Sequence, residues 1–170
     1  MKARLVFVGL IAGLATFVGL SAVALAGPEG SGNATMCVLN TRLLPENEVR
    51  TPGTAPNTSV ASGHTQVKVR NDGTIEFKTF ILNPAGEVFA RGHIHGPADA
   101  TANAGIRVDF LEAGDPVASL SGMTITFMGE GRVRPGNPDI ATLLCANPEL
   151  YYVNYHSTAE PSGAIRGQLG

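Results

Sequence analysis

From Cys37 to Leu169 the chain is broken into short stretches in which apolar and polar residues alternate, and glycine, proline or asparagine separates nearly all of them. Side chains on an extended strand point to opposite faces with a period of two, so such stretches read as strands buried on one side. Eight are recognisable: Cys37 to Leu44, His64 to Arg70, Thr74 to Leu82, Val88 to His95, Gly105 to Leu111, Met123 to Met128, Tyr151 to His156 and Ala164 to Leu169. The pattern predicts an all-β fold, an antiparallel β-sandwich or barrel.

The clearest hairpin runs Val67 to Arg70, turns through Asn71-Asp72-Gly73, and returns over Thr74 to Phe77. Its turn needs a positive φ, and Val67, Val69, Ile75 and Phe77 share the face expected in the core. Ile106, Val108 and Phe110 share another such face. On the last tyrosine-rich strand, alternation sets Tyr151, Val153 and Tyr155 against Tyr152, Asn154 and His156. One helix is expected from Asn137-Pro138-Asp139, which offers a cap, a proline at the first helical position and an early carboxylate. Ile140, Leu143 and Leu144 follow at helical spacing, and the helix should stop near Ala146.

Residues 1–26 begin with Met1-Lys2-Ala3-Arg4, continue through an apolar run from Leu5 to Leu25, and close on Ala24-Leu25-Ala26. This reads as a secretory signal peptide; a retained anchor is the alternative, because the run nearly matches a bilayer span. Residues 27–35 read as a flexible leader and residues 36–170 as one domain. Losing Lys2 and Arg4 would leave 10 of the 12 basic residues against all 14 acidic ones, a net charge of −4. That balance argues against nucleic acid and against anionic membrane surfaces. An unidentified extracellular protein or envelope component is the expected partner, and the expected location is secreted or periplasmic.

Cys37 and Cys145 are the only cysteines. An even count in an exported chain reads as a disulfide, with two separate buried thiols as the alternative. Asn33-Ala34-Thr35 and Asn57-Thr58-Ser59 fit the glycosylation acceptor pattern, which matters only in a eukaryotic secretory host.

Three of the four histidines carry the chemistry. His93 and His95 in Arg91-Gly92-His93-Ile94-His95-Gly96-Pro97 project from one face of a strand, and His156 closes another strand. Should the two strands lie together, His93, His95 and His156 would suit copper or zinc with an open fourth position. The competing reading makes them structural rings bridging carbonyls or carboxylates, or contacts to a partner. His64 is expected to be exposed. Arg166 is expected to hold a fold-fixing ion pair at the sheet rim, with Glu46, Glu48, Asp99 and Asp109 as candidate partners. The loop from Gly129 to Pro138, with Arg132 and Arg134, reads as a solvated surface loop. No His-Glu-x-x-His, Gly-x-Ser-x-Gly or Cys-x-x-Cys is present, so no catalytic residue is assigned.

Read in order, Leu43 to Val49, Ala61-Ser62-Gly63, Asn71 to Thr74, Gly92 to Pro97, Tyr152 to Ser157 and Pro161 to Leu169 resemble the chordin-type (CHRD) domain over nearly the whole chain after residue 26. The resemblance implies a secreted or periplasmic β-sandwich acting as a binding or structural module without catalytic activity. The chain departs from the family pattern at Arg50-Thr51-Pro52, where a Pro-Pro pair is common, at His64, where a small or hydroxyl residue is usual, and in its cysteine pair. The His-x-His strand is also similar, over some six residues, to the copper strand of copper/zinc superoxide dismutase. Residues 96–122 contain no histidine, so the zinc loop of that enzyme has no counterpart here.

Overall fold

The hairpin read from the sequence is the centre of the first sheet. Strand β2 (Ser62–Arg70) pairs antiparallel with β3 (Ile75–Asn83), Val69 opposite Ile75 and Val67 opposite Phe77. Gly73 closes the turn at φ 87°, a conformation open to glycine at little steric cost. Val67, Val69, Ile75 and Phe77 are all buried. Strand β1 (Thr35–Leu43) flanks β2, and β7 (Met123–Glu130) flanks β3, giving a four-stranded sheet in the order β1-β2-β3-β7. The computed structural model describes residues 34–112, 117–118 and 121–170. The expected signal segment 1–26, the leader through residue 33, and the Asn33 acceptor lie outside them.

The second sheet has the order β10-β9-β4-β5-β8, where β4 is Val88–His95, β5 Ile106–Leu111, β8 Arg132–Val133, β9 Tyr152–Ser157 and β10 Ile165–Gln168. A two-residue strand, β6 (Val117–Ala118), also pairs with β4. Both sheets are antiparallel, and the fold is an all-β sandwich. The strands beyond the eight expected, β6 and β8, are two residues long, too short for alternation to show.

Core side chains come from both sheets: Val67, Val69, Ile75, Phe77, Ile81, Ile125 and Phe127 face Phe89, Ile94, Val108, Val153, Tyr155 and Ile165. Each fully buried apolar side chain contributes about 1.5–3 kcal/mol of transfer free energy. Phe77 stacks on Phe110, and Phe127 on Tyr155. Gly92 leaves room for Tyr155, whose ring would lie 2.5 Å from a β-carbon at that position. At one margin the sheets join through paired backbone hydrogen bonds between Leu44 and Arg166.

The helix, α1 (Ile140–Ala146), buries Ile140, Ala141 and Leu144. It starts two residues later than the sequence suggested, with Asp139 rather than Asn137 at the cap. The Asn137 side chain is committed elsewhere, donating to the carbonyls of Arg134 and Pro135 and accepting from Arg107. Cys37 and Cys145 form a disulfide that ties β1 to α1 across 108 residues.

Polar segments roof the outer face of the second sheet. Residues 96–105 lie over β9 and β10: Gln168 Nε2 donates to the Ala98 carbonyl, and Ala104 N–H donates to the Tyr152 hydroxyl. Residues 45–59 lie beside them, where Asn57 Nδ2 donates to the carbonyls of Pro45 and Ala164. Those bonds commit the Asn57 amide nitrogen within the fold. The roof explains why β9 is buried on both faces, Tyr152 and Asn154 as fully as Val153 and Tyr155.

Candidate metal centre

Cross-strand register builds the site. Directly opposed residues in an antiparallel ladder share a face, and Arg166 on β10, Asn154 on β9, His93 on β4, Asp109 on β5 and Arg132 on β8 are successive partners. One polar row therefore crosses five strands on the roofed face. In the next row His95 lies opposite Tyr152. His156, two residues beyond Asn154, completes the cluster.

One ring nitrogen from each of His93, His95 and His156 lies within 4.8 Å of the others. Points so spaced fit within about 2.8 Å of a common centre, against metal–nitrogen bonds of about 2.0–2.1 Å. His93 and His95 are buried, and His156 is half-buried. Burial, followed by the neighbouring histidines, lowers the His93 pKa to about 3. Burial lowers His95 to about 4 and moves His156 in the same direction. All three rings are neutral at pH 7 and carry the lone pairs a metal requires.

The hydrogen bonds decide where those lone pairs point. His95 Nδ1 lies 2.9 Å from the Ala104 carbonyl, and His156 Nδ1 lies 3.0 Å from the Pro161 carbonyl. A carbonyl only accepts, so both rings carry their proton on Nδ1 and a lone pair on Nε2. His95 Nε2 is buried with no hydrogen-bond partner. His93 stands between two acceptors, its Nδ1 3.2 Å from His156 Nε2 and its Nε2 3.6 Å from Asp109 Oδ1. The 3.6 Å approach to Asp109 is longer than a hydrogen bond, so in the metal-free protein the one proton of a neutral His93 sits on Nδ1, toward His156. A cation between His93 Nδ1 and His156 Nε2 would move that proton to Nε2, facing the Asp109 carboxylate. Each ring would then have its outer nitrogen fixed by an oxygen, the arrangement that orients metal-bound histidines.

Asp109 is buried, and Arg132 and Arg134 clamp it, with Arg134 Nη2 2.8 Å from Oδ1 and Arg132 Nη2 3.0 Å from Oδ2. The loop expected to be merely solvated thus supplies both arginines to the site. Tyr152 stacks on His95, ring centroids 5.0 Å apart and planes 4° from parallel.

Arg166 departs from its expected role. It is buried, yet its fork meets neutral oxygens: Nη2 donates to the carbonyls of Asp99 and Ala102, and Nη1 to Asn103 Oδ1. Its guanidinium also sits 3.5 Å from the Tyr152 ring centroid. No carboxylate pairs with it among the described residues; Asp99 offers its backbone and spends its carboxylate on Thr101. The arginine fastens the roof by hydrogen bonds and stacking, because the ends of that loop turn their carbonyls inward. His64 is exposed on β2, away from the cluster.

Sequence reasoning offered Glu48 only as a partner for Arg166 and missed its place beside Asn154. Its Oε2 accepts from Asn154 Nδ2 at 3.0 Å, its Oε1 is buried without a partner, and burial raises its pKa to about 7. Membership of a loop gave no sign of this.

The family model described as the CHRD domain matches residues 39–169. The chain belongs to the CHRD domain family. The match spans both sheets and the whole histidine cluster, so the cluster is part of the CHRD domain itself and not of an appended segment. No curated protein and no solved structure shows a significant similarity to this CHRD domain.

Proposed function

We propose that this CHRD domain is a secreted or periplasmic binding module whose ligand is one copper or zinc ion, held by His93, His95 and His156 for metal carriage or redox chemistry. The observation that carries the reading is the convergence of three ring nitrogens within 4.8 Å of one another, one of them the buried, partnerless His95 Nε2. Three neutral imidazoles favour copper(II) or zinc(II) over hard cations such as calcium. The disulfide suits an oxidising compartment, and the signal-like residues 1–26 supply a route to it. Among the described residues no helix is long and apolar enough to cross a membrane.

A second reading keeps the CHRD domain as a binding or structural module for an extracellular protein or envelope component and uses the rings as braces. The bonds from His95 to Ala104 and from His156 to Pro161, which fasten two covering segments, favour it. Elemental analysis and copper EPR on protein from an oxidising compartment separate the two. About one metal per chain, lost in H93A, supports the metal centre. Protein that takes up no copper or zinc, with H93A changing stability alone, leaves the bracing role.

A further inference from the structure

Beside the histidine cluster lies a half-open cleft of about 330 Å³, lined by Arg91, His93, Ile106, Asp109, Glu112, Arg132 and Arg134. Its charges do not cancel. Asp109 is taken by Arg132 and Arg134, and Glu112 is held 2.5 Å from Arg132 Nε. Arg91 has no hydrogen bond or ion pair among the described residues. It is exposed, and it stands opposite His156 in the β4–β9 ladder while lining the cleft with His93. Arg91 thus flanks the cluster and offers an unused guanidinium fork.

Resting on the three-histidine reading, we propose that the loaded centre binds a small oxyanion, a carboxylate or inorganic phosphate, admitted through this cleft and gripped by Arg91. Three neutral imidazoles leave the charge of a divalent ion uncompensated. The one carboxylate beside the cluster that Asp109 supplies is already neutralised by two arginines. Three protein donors also leave a coordination position open. A positive cleft with protein walls concentrates anions, and a planar guanidinium meets an oxyanion through two parallel hydrogen bonds. Each oxyanion can present one oxygen to the metal and another to Arg91. Glu112, the other acid among the described residues lining the cleft, is half-exposed and committed to Arg132, so it leaves Arg91 free.

The test uses the full chain loaded with copper(II) and titrated, at fixed ionic strength, with sodium phosphate and separately with sodium acetate. Copper EPR and the visible absorption band are the readouts. Saturable spectral change at one anion per copper is expected. R91A should weaken the anion about tenfold at unchanged copper stoichiometry, and R91K should recover part of the loss. R42A removes an exposed arginine on the other sheet and should change nothing. Copper-loaded protein whose spectrum ignores both anions overturns the oxyanion site and leaves the metal reading standing. Equal weakening by R91A and R42A overturns the role of the cleft. Failure to bind copper at all sinks both.

Discussion

Glu48 is a carboxyl group with one partner too few. Its Oε2 receives the Asn154 amide, its Oε1 is buried without a partner, and burial outweighs Arg166 and Arg50 in setting a pKa of about 7 against 4.5 for a free side chain. The folded chain therefore holds a proton that the unfolded chain has released, between pH 4.5 and about 7. For a group raised in this way, stability is complete below the unfolded value and lost as pH climbs through the folded one. Two and a half pH units correspond to about 3 kcal/mol, and partial access of water to the side chain reduces this to about 1–3 kcal/mol. E48Q keeps an acceptor for Asn154 and removes the titration. The quantity to measure is the stability difference between E48Q and wild type by urea denaturation at pH 4.5, 6 and 8. It should move in favour of the variant by about 1–3 kcal/mol across that range, about 4 °C in Tm per kcal/mol for a chain of this size. An amide at the orphaned position adds an offset common to every pH, so the slope and not the absolute value is the test. Parallel curves for the two proteins would refute the assignment of the raised pKa to Glu48.

The histidines act in the opposite sense. His93 and His95 have folded values of about 3 and 4 against 6.5 when free, so their contribution to the metal-free protein is complete above pH 6.5 and is lost as pH falls toward 4, with H93Q showing a shallower loss by urea denaturation. R166M removes three hydrogen bonds made by a buried guanidinium, among them the one to the Ala102 carbonyl; it should cost about 2–3 kcal/mol and increase amide exchange in residues 96–105, and a Tm within a degree of wild type would contradict the fastening role. Replacing Cys37 and Cys145 with serine frees a loop of 108 residues and should lower stability by up to about 4–5 kcal/mol, read as a lower urea midpoint with α1 exchanging first.

Much of the architecture is legible in residue order. The Asn71-Asp72-Gly73 turn and the alternation of Val67, Val69, Ile75 and Phe77 define the first sheet, because one face of it is open to water and polarity reports the facing directly. The second sheet hides more. Its outer face is roofed, so β9 is buried on both sides, and Asp109, a residue alternation would send to solvent, is buried between arginines. His93 and His95 share a face by the period of the strand alone. Bringing His156 to them required β9 to pair with β4, a contact across some sixty residues that no local pattern encodes. Asn154, Glu48 and the Asp109 clamp became site residues for the same reason, since their partners are set by ladder register and by where two loops are laid. Arg166 was legible as a fold-fixing residue, but not as one bonded to carbonyls, because two of its three acceptors are backbone atoms and a sequence does not display where backbone turns.

The polar row that crosses the second sheet takes one side chain from each of five strands, from His93 through Asp109, Arg132 and Asn154 to Arg166. No peptide, fragment or half-zipped intermediate owns more than part of it. A His-x-His segment by itself is a loose chelator that any unfolded chain offers, whereas the third ring arrives only with β9. Capture of an ion by all three rings would therefore serve as proof of assembly, withheld until β9 has docked on β4.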